Sequence, residues 1–274
     1  MVLSCLPVFY FKDIIEGKMT IGEWASQGAK VGLDAIDLSI LFFKNRDQSY
    51  LVKEREEIRS FNMDVAIVNT YPDFTHPDSR ERIRQSNQLK KDIATAAALG
   101  ASFVRVTAGQ AHPQTKRRDG IKWAIEGLVS SIDTAEYHGI KLVYENHSKP
   151  GCWEYSDFSH PTDIFLEIAD NLSDTCIGIL FDTANPIAYG DNPLSILEKV
   201  IERVICIHAA DTKTFGALEP VIIGTGMVPF YEIFTILKKS GFDGVISIEE
   251  ASRLGRLGVQ KAVKFVRETW EKAK

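Results

Sequence analysis

Four short apolar runs in the chain each end in a residue that can ligate a metal. They are Lys141-Leu-Val-Tyr-Glu145, Gly178-Ile-Leu-Phe-Asp182, Val204-Ile-Cys-Ile-His208 and Val245-Ile-Ser-Ile-Glu249. Each run reads as a buried strand, and each terminal ionisable group costs desolvation free energy unless it finds a partner. A shared divalent cation answers that cost for all four ends at once. Three carboxylates and one imidazole suit Mn²⁺, Mg²⁺, Co²⁺ or Zn²⁺, and no cysteine joins the set. Such a site is slightly anionic and favours a neutral polyol or carbonyl substrate. Its cation could polarise the carbonyl as a Lewis acid. Glu145 and Glu249 come from non-adjacent strands, so they could face a substrate from opposite sides. One would remove a proton from the carbon beside the carbonyl and the other would return one, through a metal-stabilised enediolate.

A scaffold must bring those ends together. Ahead of the four runs, residues 2–8, 34–40, 65–69 and 102–107 also read as strands. Ile21, Trp24, Ala25 and Val31 repeat with helical spacing, and Thr20 with Glu23 forms a capping box at the start of that helix. Further helices are expected around 54–61, 79–99, 118–138, 161–169, 193–202, 228–237 and 259–272, several stopping at a glycine such as Gly100, Gly139 or Gly241. Strand and helix therefore alternate through eight units with no linker or composition break, which means parallel strands with right-handed helical crossovers. The expected fold is α/β, a (β/α)8 barrel forming a single domain over 1–274. No GxGxxG follows the first strand, so no dinucleotide or other organic cofactor is expected. In a barrel, side chains alternate in and out, so Val143 shares a face with Glu145, Leu180 with Asp182, Cys206 with His208 and Ser247 with Glu249. All four candidate ligands then sit on the C-terminal rim, where barrels of this kind hold their active sites.

Composition narrows the classes further. The chain has 274 residues, 45% hydrophobic and 25% charged, enough for a core that needs no staples. The cysteines, Cys5, Cys152, Cys176 and Cys206, form no CxxC pair, so neither disulfides nor a thiolate zinc site is expected. A net charge of −5 without a block of Lys or Arg argues against a nucleic acid partner. No run is long enough for a membrane span, and the apolar N-terminus lacks the basic start of a signal peptide; the expected location is the cytoplasm.

The motifs Tyr144-Glu-Asn-His147, Asp182-Thr-Ala-Asn185, His208-Ala-Ala-Asp211, Gly224-Thr-Gly226 and Ser247-Ile-Glu-Glu250 resemble the sugar phosphate isomerase/epimerase superfamily with the xylose isomerase-like barrel. The resemblance covers essentially the whole chain and is strongest toward ketose 3-epimerases. It implies one divalent metal on Glu145, Asp182, His208 and Glu249, with the two glutamates doubling as acid and base. It also implies a small sugar or sugar phosphate as substrate, and a homo-oligomer would be unsurprising. One departure stands out: the family often has His three residues after the sixth-strand Asp, where this chain has Asn185. Asn185 can hydrogen-bond a substrate but cannot carry a proton as a cation. Dehydratases of the superfamily share the metal logic, so a polyol-ketone lyase is the alternative. Endonuclease IV shares the barrel but needs more histidines at its strand ends, where this chain has Asp37-Leu-Ser-Ile40 and Asn69-Thr70. A non-catalytic sugar-binding protein would not need two opposed carboxylates.

Other residues are candidates around this set. His147 returns to the face of Glu145 and is placed to touch substrate. Asp211 is expected to orient His208 or a substrate hydroxyl. Arg105 alternates with Phe103 and Thr107 and points inward, toward substrate or a buried carboxylate. Lys213 follows the seventh strand and could meet a phosphate, as could the amides of Gly224-Thr-Gly226. Trp153 and Phe158 could wall the site. Glu250 rivals Glu249, but register turns it away from the axis. His76, His112, His138 and His160 read as structural or surface groups.

Overall fold

A computed structural model describes residues 1–148 and 150–274. Eight parallel strands form one sheet in the order β1-β8-β7-β6-β5-β4-β3-β2. They are β1 (Val2–Cys5), β2 (Ala35–Ser39), β3 (Asp64–Asn69), β4 (Phe103–Val106), β5 (Lys141–Glu145), β6 (Gly178–Asp182), β7 (Val204–Ala209) and β8 (Val245–Ile248). Between β1 and β2 the Asp34 amide donates to the Leu3 carbonyl at 2.9 Å, and Ser4 Oγ donates to Asp37 Oδ2 at 3.0 Å. These bonds draw the two edges together, so the sheet is a nearly closed barrel.

Helices α1 (Phe11–Ile15) and α2 (Ile21–Val31) follow β1, and α3 (Gln48–Ser60) follows β2. Then come α4 (Ser79–Ala98), α5 (Arg117–Val129), α6 (Ile132–Tyr137), α7 (Thr162–Asn171), α8 (Asn185–Tyr189), α9 (Pro193–Val200), α10 (Phe230–Lys239) and α11 (Arg256–Lys272). The capping box expected at Thr20 and Glu23 is present, each side chain accepting from the other's amide. The helix expected over 118–138 is broken in two at Ser130 and Ser131. Ser130 Oγ donates to the Gly127 carbonyl at 2.8 Å, a local bond that competes with continued helix. Two short helices, α1 and α8, were not expected.

Alternation along the strands divides the apolar side chains into two cores. The large one fills the space between sheet and helices and includes Tyr144, Phe181, Ile207 and Ile248. A small one, with Val143, Leu180, Cys206 and Val245, plugs the barrel interior. Three of these inner residues lie two positions before Glu145, Asp182 and His208, as period two requires. The register places Asp182 directly beside His208 and His208 beside Ser247. The apolar plug thus sets a dry floor beneath the polar ends.

Candidate metal centre

The ends of β5, β6 and β7 meet. Ligand atoms of Glu145, Asp182 and His208, all buried, lie within 4.8 Å of one another. His208 Nδ1 stands 2.7 Å from Glu145 Oε1 and 3.3 Å from Glu249 Oε1. Glu249 therefore touches the group, although it falls outside that mutual distance. The expected rival, Glu250, faces α11: its Oε1 accepts from the Ser252 amide at 2.9 Å, and its carboxylate fills the space beside Gly258.

Asp182 is braced by neighbours on three sides. Its Oδ1 accepts from the amides of Ala184 and Asn185 at 2.8 and 2.7 Å. The Asn146 side chain bonds both backbone groups of Asp182, at 2.7 and 3.0 Å, and Asn185 Nδ2 donates to the Asn146 carbonyl at 3.0 Å. Asn185 thus holds the β5 and β6 ends together while lining the cavity above them. Asn146, within the Tyr144–His147 motif, had no role assigned from sequence.

Arg105 supplies the counter-charge from β4. Its Nε lies 3.1 Å from Glu145 Oε2, with both side chains almost fully buried. The Nε–H bond itself goes to Asn69 Oδ1 at 2.9 Å, and Nη1 donates to the Thr70 carbonyl at 2.8 Å. The contact with Glu145 is therefore a charge contact without a hydrogen bond. Among the described residues, Glu145 Oε2 is buried without a hydrogen-bond partner. The guanidinium also lies 4.8 Å from the ring centroid of Tyr71, a cation–π contact.

The electrostatics follow from this crowding. Burial acts to raise the Glu145 pKa, but His208 and Arg105 outweigh it and bring it down to about 2. Burial pushes Asp182 up, and the carboxylates of Glu249 and Glu145 push it further. Glu249 is likewise raised, first by burial. Burial works against a proton on His208, yet Glu249 and Glu145 lift its pKa to about 9. The cluster thus calls for positive charge at its centre, as a proton on His208 or as a cation in its place. The unpaired Glu145 oxygen, the convergence of three ligand atoms and the carboxylate–imidazole donor set all fit a divalent ion.

A cavity of about 650 Å³ opens over the cluster, lined by Arg105, His147, Asp182, Asn185, Asp211 and Glu249 among others. The two glutamates meet it unequally: the Glu249 side chain is 24% exposed and lines it, while Glu145 is 1% exposed and does not. His147 Nδ1 sits 3.8 Å from Asp157 Oδ2, a buried acid that sequence reading passed over. Asp211 does not reach for His208. Its carboxylate accepts from the amides of Thr212, Gly224, Gly226 and Val228 at 2.8–3.2 Å and staples the loop after β7. The amides of Gly224 and Gly226 are thereby occupied, so that turn is no open anion cradle. Lys213 is exposed and stands outside the cavity lining. Trp153 and Phe158 also lie outside it; Phe158 packs onto Gly120 of α5.

Residues 26–269 match the family model described as xylose isomerase-like TIM barrel. The chain belongs to that family. An inosose dehydratase of Clostridium beijerinckii is 27% identical over 145 residues, 47% of this chain and 46% of that protein. The chain thus aligns with about half the length of that relative. An inosose isomerase of Bacillus velezensis is 24% identical over 79% of this chain and 78% of its own. Among solved structures, the IOLI protein with a bound zinc atom superposes with a TM-score of 0.80 at 19% identity, covering 100% of this chain and 99% of that one. A D-tagatose 3-epimerase-like protein gives 0.79 at 21% identity, covering 100% and 98%. At these identities the structural likeness speaks for the xylose isomerase-like fold. Among the described residues, no helix of this family member is long and apolar enough to cross a membrane.

Proposed function

We propose that this barrel is a divalent-metal-dependent isomerase or epimerase that moves a proton on the carbon beside a ketose carbonyl. The observation that carries the reading is the convergence of Glu145, Asp182 and His208 within 4.8 Å beneath a cavity that Glu249 lines. Glu145, Asp182 and His208 would hold the ion, with Glu249 beside them. A bound ion would supply Lewis-acid polarisation of the substrate carbonyl. The family match and the inosose isomerase relative support a sugar as substrate, and the zinc in the IOLI structure supports a metal.

The chain's own residues divide the work. A Glu249 carboxylate oxygen reaches the cavity and takes the proton from carbon. Asn185, His147 and Arg105 line the same space and orient hydroxyls. Glu145, fixed beside Arg105 beneath the cavity, is the second acid/base group. Solvent exchange tests the reading: the protein is incubated in D₂O with Mn²⁺ and a panel of ketoses and ketose phosphates, with and without chelator. Chelator-sensitive deuterium at one carbon is expected, and Glu249→Gln should lower the rate by about 10²–10⁴. Near-normal exchange in Glu249→Gln sinks the assignment.

A second reading, dehydration of a polyol-derived ketone, is favoured by one observation. Only one of the two glutamates opens to the cavity, and an elimination that uses a single base needs only one. The inosose dehydratase relative agrees with this. A new enone absorbance on turnover would select it.

A further inference from the structure

We infer that Asp157 is a positioning residue, which fixes the His147 ring with Nε2–H turned into the cavity as a hydrogen-bond donor to a substrate oxygen; this rests on the sugar-enzyme reading above. His147 lines the cavity together with Arg105, Asn185 and Glu249, and its side chain is only 13% exposed. Its Nδ1 is buried and, among the described residues, has no hydrogen-bond partner. Asp157 Oδ2 is likewise buried and unpartnered, and stands 3.8 Å from that nitrogen. Two buried polar atoms left unpaired cost free energy that one hydrogen bond between them would remove. The gap exceeds the roughly 2.7–3.2 Å of such a bond, and a small turn of the ring closes it, as catalytic hydrogen bonds tighten when substrate binds.

Asp157 itself is held in place. Its Oδ1 accepts from the Ser159 amide and hydroxyl, both at 2.7 Å. Its amide donates to the Ser148 carbonyl at 2.6 Å. On either side of it, the Phe158 amide donates to the Gly109 carbonyl and the Ala111 amide to the Ser156 carbonyl, which ties the segment to the loop after β4. The oxygen left over, Oδ2, is the one nearest His147 Nδ1. Among the described residues no Lys or Arg pairs with this acid, and burial lifts its pKa to about 8, so it keeps its hydrogen at neutral pH. That hydrogen is shared with Nδ1. A neutral imidazole has one hydrogen of its own, which must then sit on Nε2. If the shared hydrogen crosses to Nδ1, Nε2 still bears its own. The cavity receives a donor either way, suited to an oxygen on which negative charge grows as the proton leaves carbon. An ionised Asp157 beside a neutral ring would do the reverse, drawing the hydrogen to Nδ1 and leaving Nε2 an acceptor.

Long-range proton–nitrogen NMR on the Mg²⁺-loaded protein with ¹⁵N-labelled histidine reads which ring nitrogen carries the hydrogen, His147→Gln serving to assign the signal. Nε2–H is expected in the wild type at neutral pH. Asp157→Asn should keep it: Ser159 holds the amide oxygen, so the NH₂ group faces Nδ1 and donates as the acid does. Asp157→Ala should populate both tautomers and lower kcat/KM for deuterium exchange by about tenfold, on the fastest-exchanging ketose of the panel above. Asp157→Asn should recover most of that loss. Nδ1–H in the wild type or in Asp157→Asn, an unchanged tautomer in Asp157→Ala, or an asparagine variant as slow as the alanine one overturns the inference. If the alanine variant does not fold, the tautomers of the wild type and Asp157→Asn decide the matter. Exchange on no sugar at all defeats the enzyme reading, while the tautomers still decide whether Asp157 sets the His147 hydrogen.

Discussion

Arg105 Nε lies 3.1 Å from Glu145 Oε2 while donating its hydrogen to Asn69 instead. His208 and the guanidinium together therefore hold Glu145 ionised, the guanidinium without capping the oxygen that faces it. The consequence is a buried carboxylate kept deprotonated and still free to coordinate.

Arg105→Leu should destabilise the protein by roughly 3–5 kcal/mol, because it leaves His208 as the remaining counter-charge of a buried carboxylate and orphans the Asn69 Oδ1 and Thr70 carbonyl acceptors. Arg105→Lys keeps the charge but loses the planar fork, so it should recover part of the loss. Urea unfolding monitored by circular dichroism measures both. A loss under about 1 kcal/mol for the leucine variant would mean that Glu145 does not need this partner.

The Asp211 carboxylate collects four backbone amides, three of them thirteen to seventeen residues downstream. Replacing it by alanine should cost at least about 2 kcal/mol, since hydrogen bonds to a charged acceptor are the stronger kind. Amide hydrogen exchange should speed up at Gly224, Gly226 and Val228, with protection elsewhere in the barrel retained. Unchanged exchange at those three amides would contradict the staple.

Burial lifts the Asp157 pKa from 3.8 to about 8. A carboxyl whose folded pKa lies above its unfolded one stabilises fully below the unfolded value, and that contribution is lost as pH rises toward the folded one. His147 has the opposite displacement, pushed by burial from 6.5 down to about 3, so its stabilising effect is complete above pH 6.5. Between pH 6.5 and 8 the two separate: Asp157 still erodes stability with rising pH, while His147 contributes no slope. Asp157→Asn should therefore gain on the wild type by on the order of 1 kcal/mol across that window. Parallel stability–pH curves for the two proteins would show that Asp157 is ionised throughout.

The strand ends were legible because each is a short apolar run closed by one polar residue, a pattern that needs only period two to interpret. The candidate ligands followed from it, and β5 and β6 have the expected bounds. Roles set by distant partners were not legible. Arg105 reads equally as a substrate contact or an ion pair until β4 and β5 are placed side by side. Asp211 looks like a neighbour of His208 in sequence, yet its four donors come mostly from a loop well beyond it. Asp37, buried on β2 and held by Ser4 and the Ile67 amide, gives no signal at all beyond being an acid in a strand. Helix α1 was not expected because it has five residues and no side-chain cap, too little for periodicity to reveal.

In the proposed function the β5–β8 ends hold one divalent cation, and equilibrium dialysis against Mn²⁺ with elemental analysis reads its occupancy. One equivalent per chain is expected for the wild type at pH 7.5, falling as pH drops because the ligands must be deprotonated. Asp182→Asn and His208→Ala should each hold less than about a tenth as much at the same free Mn²⁺. No bound metal in the folded wild-type protein, or full occupancy in both variants, would mean that these strand ends hold no such ion.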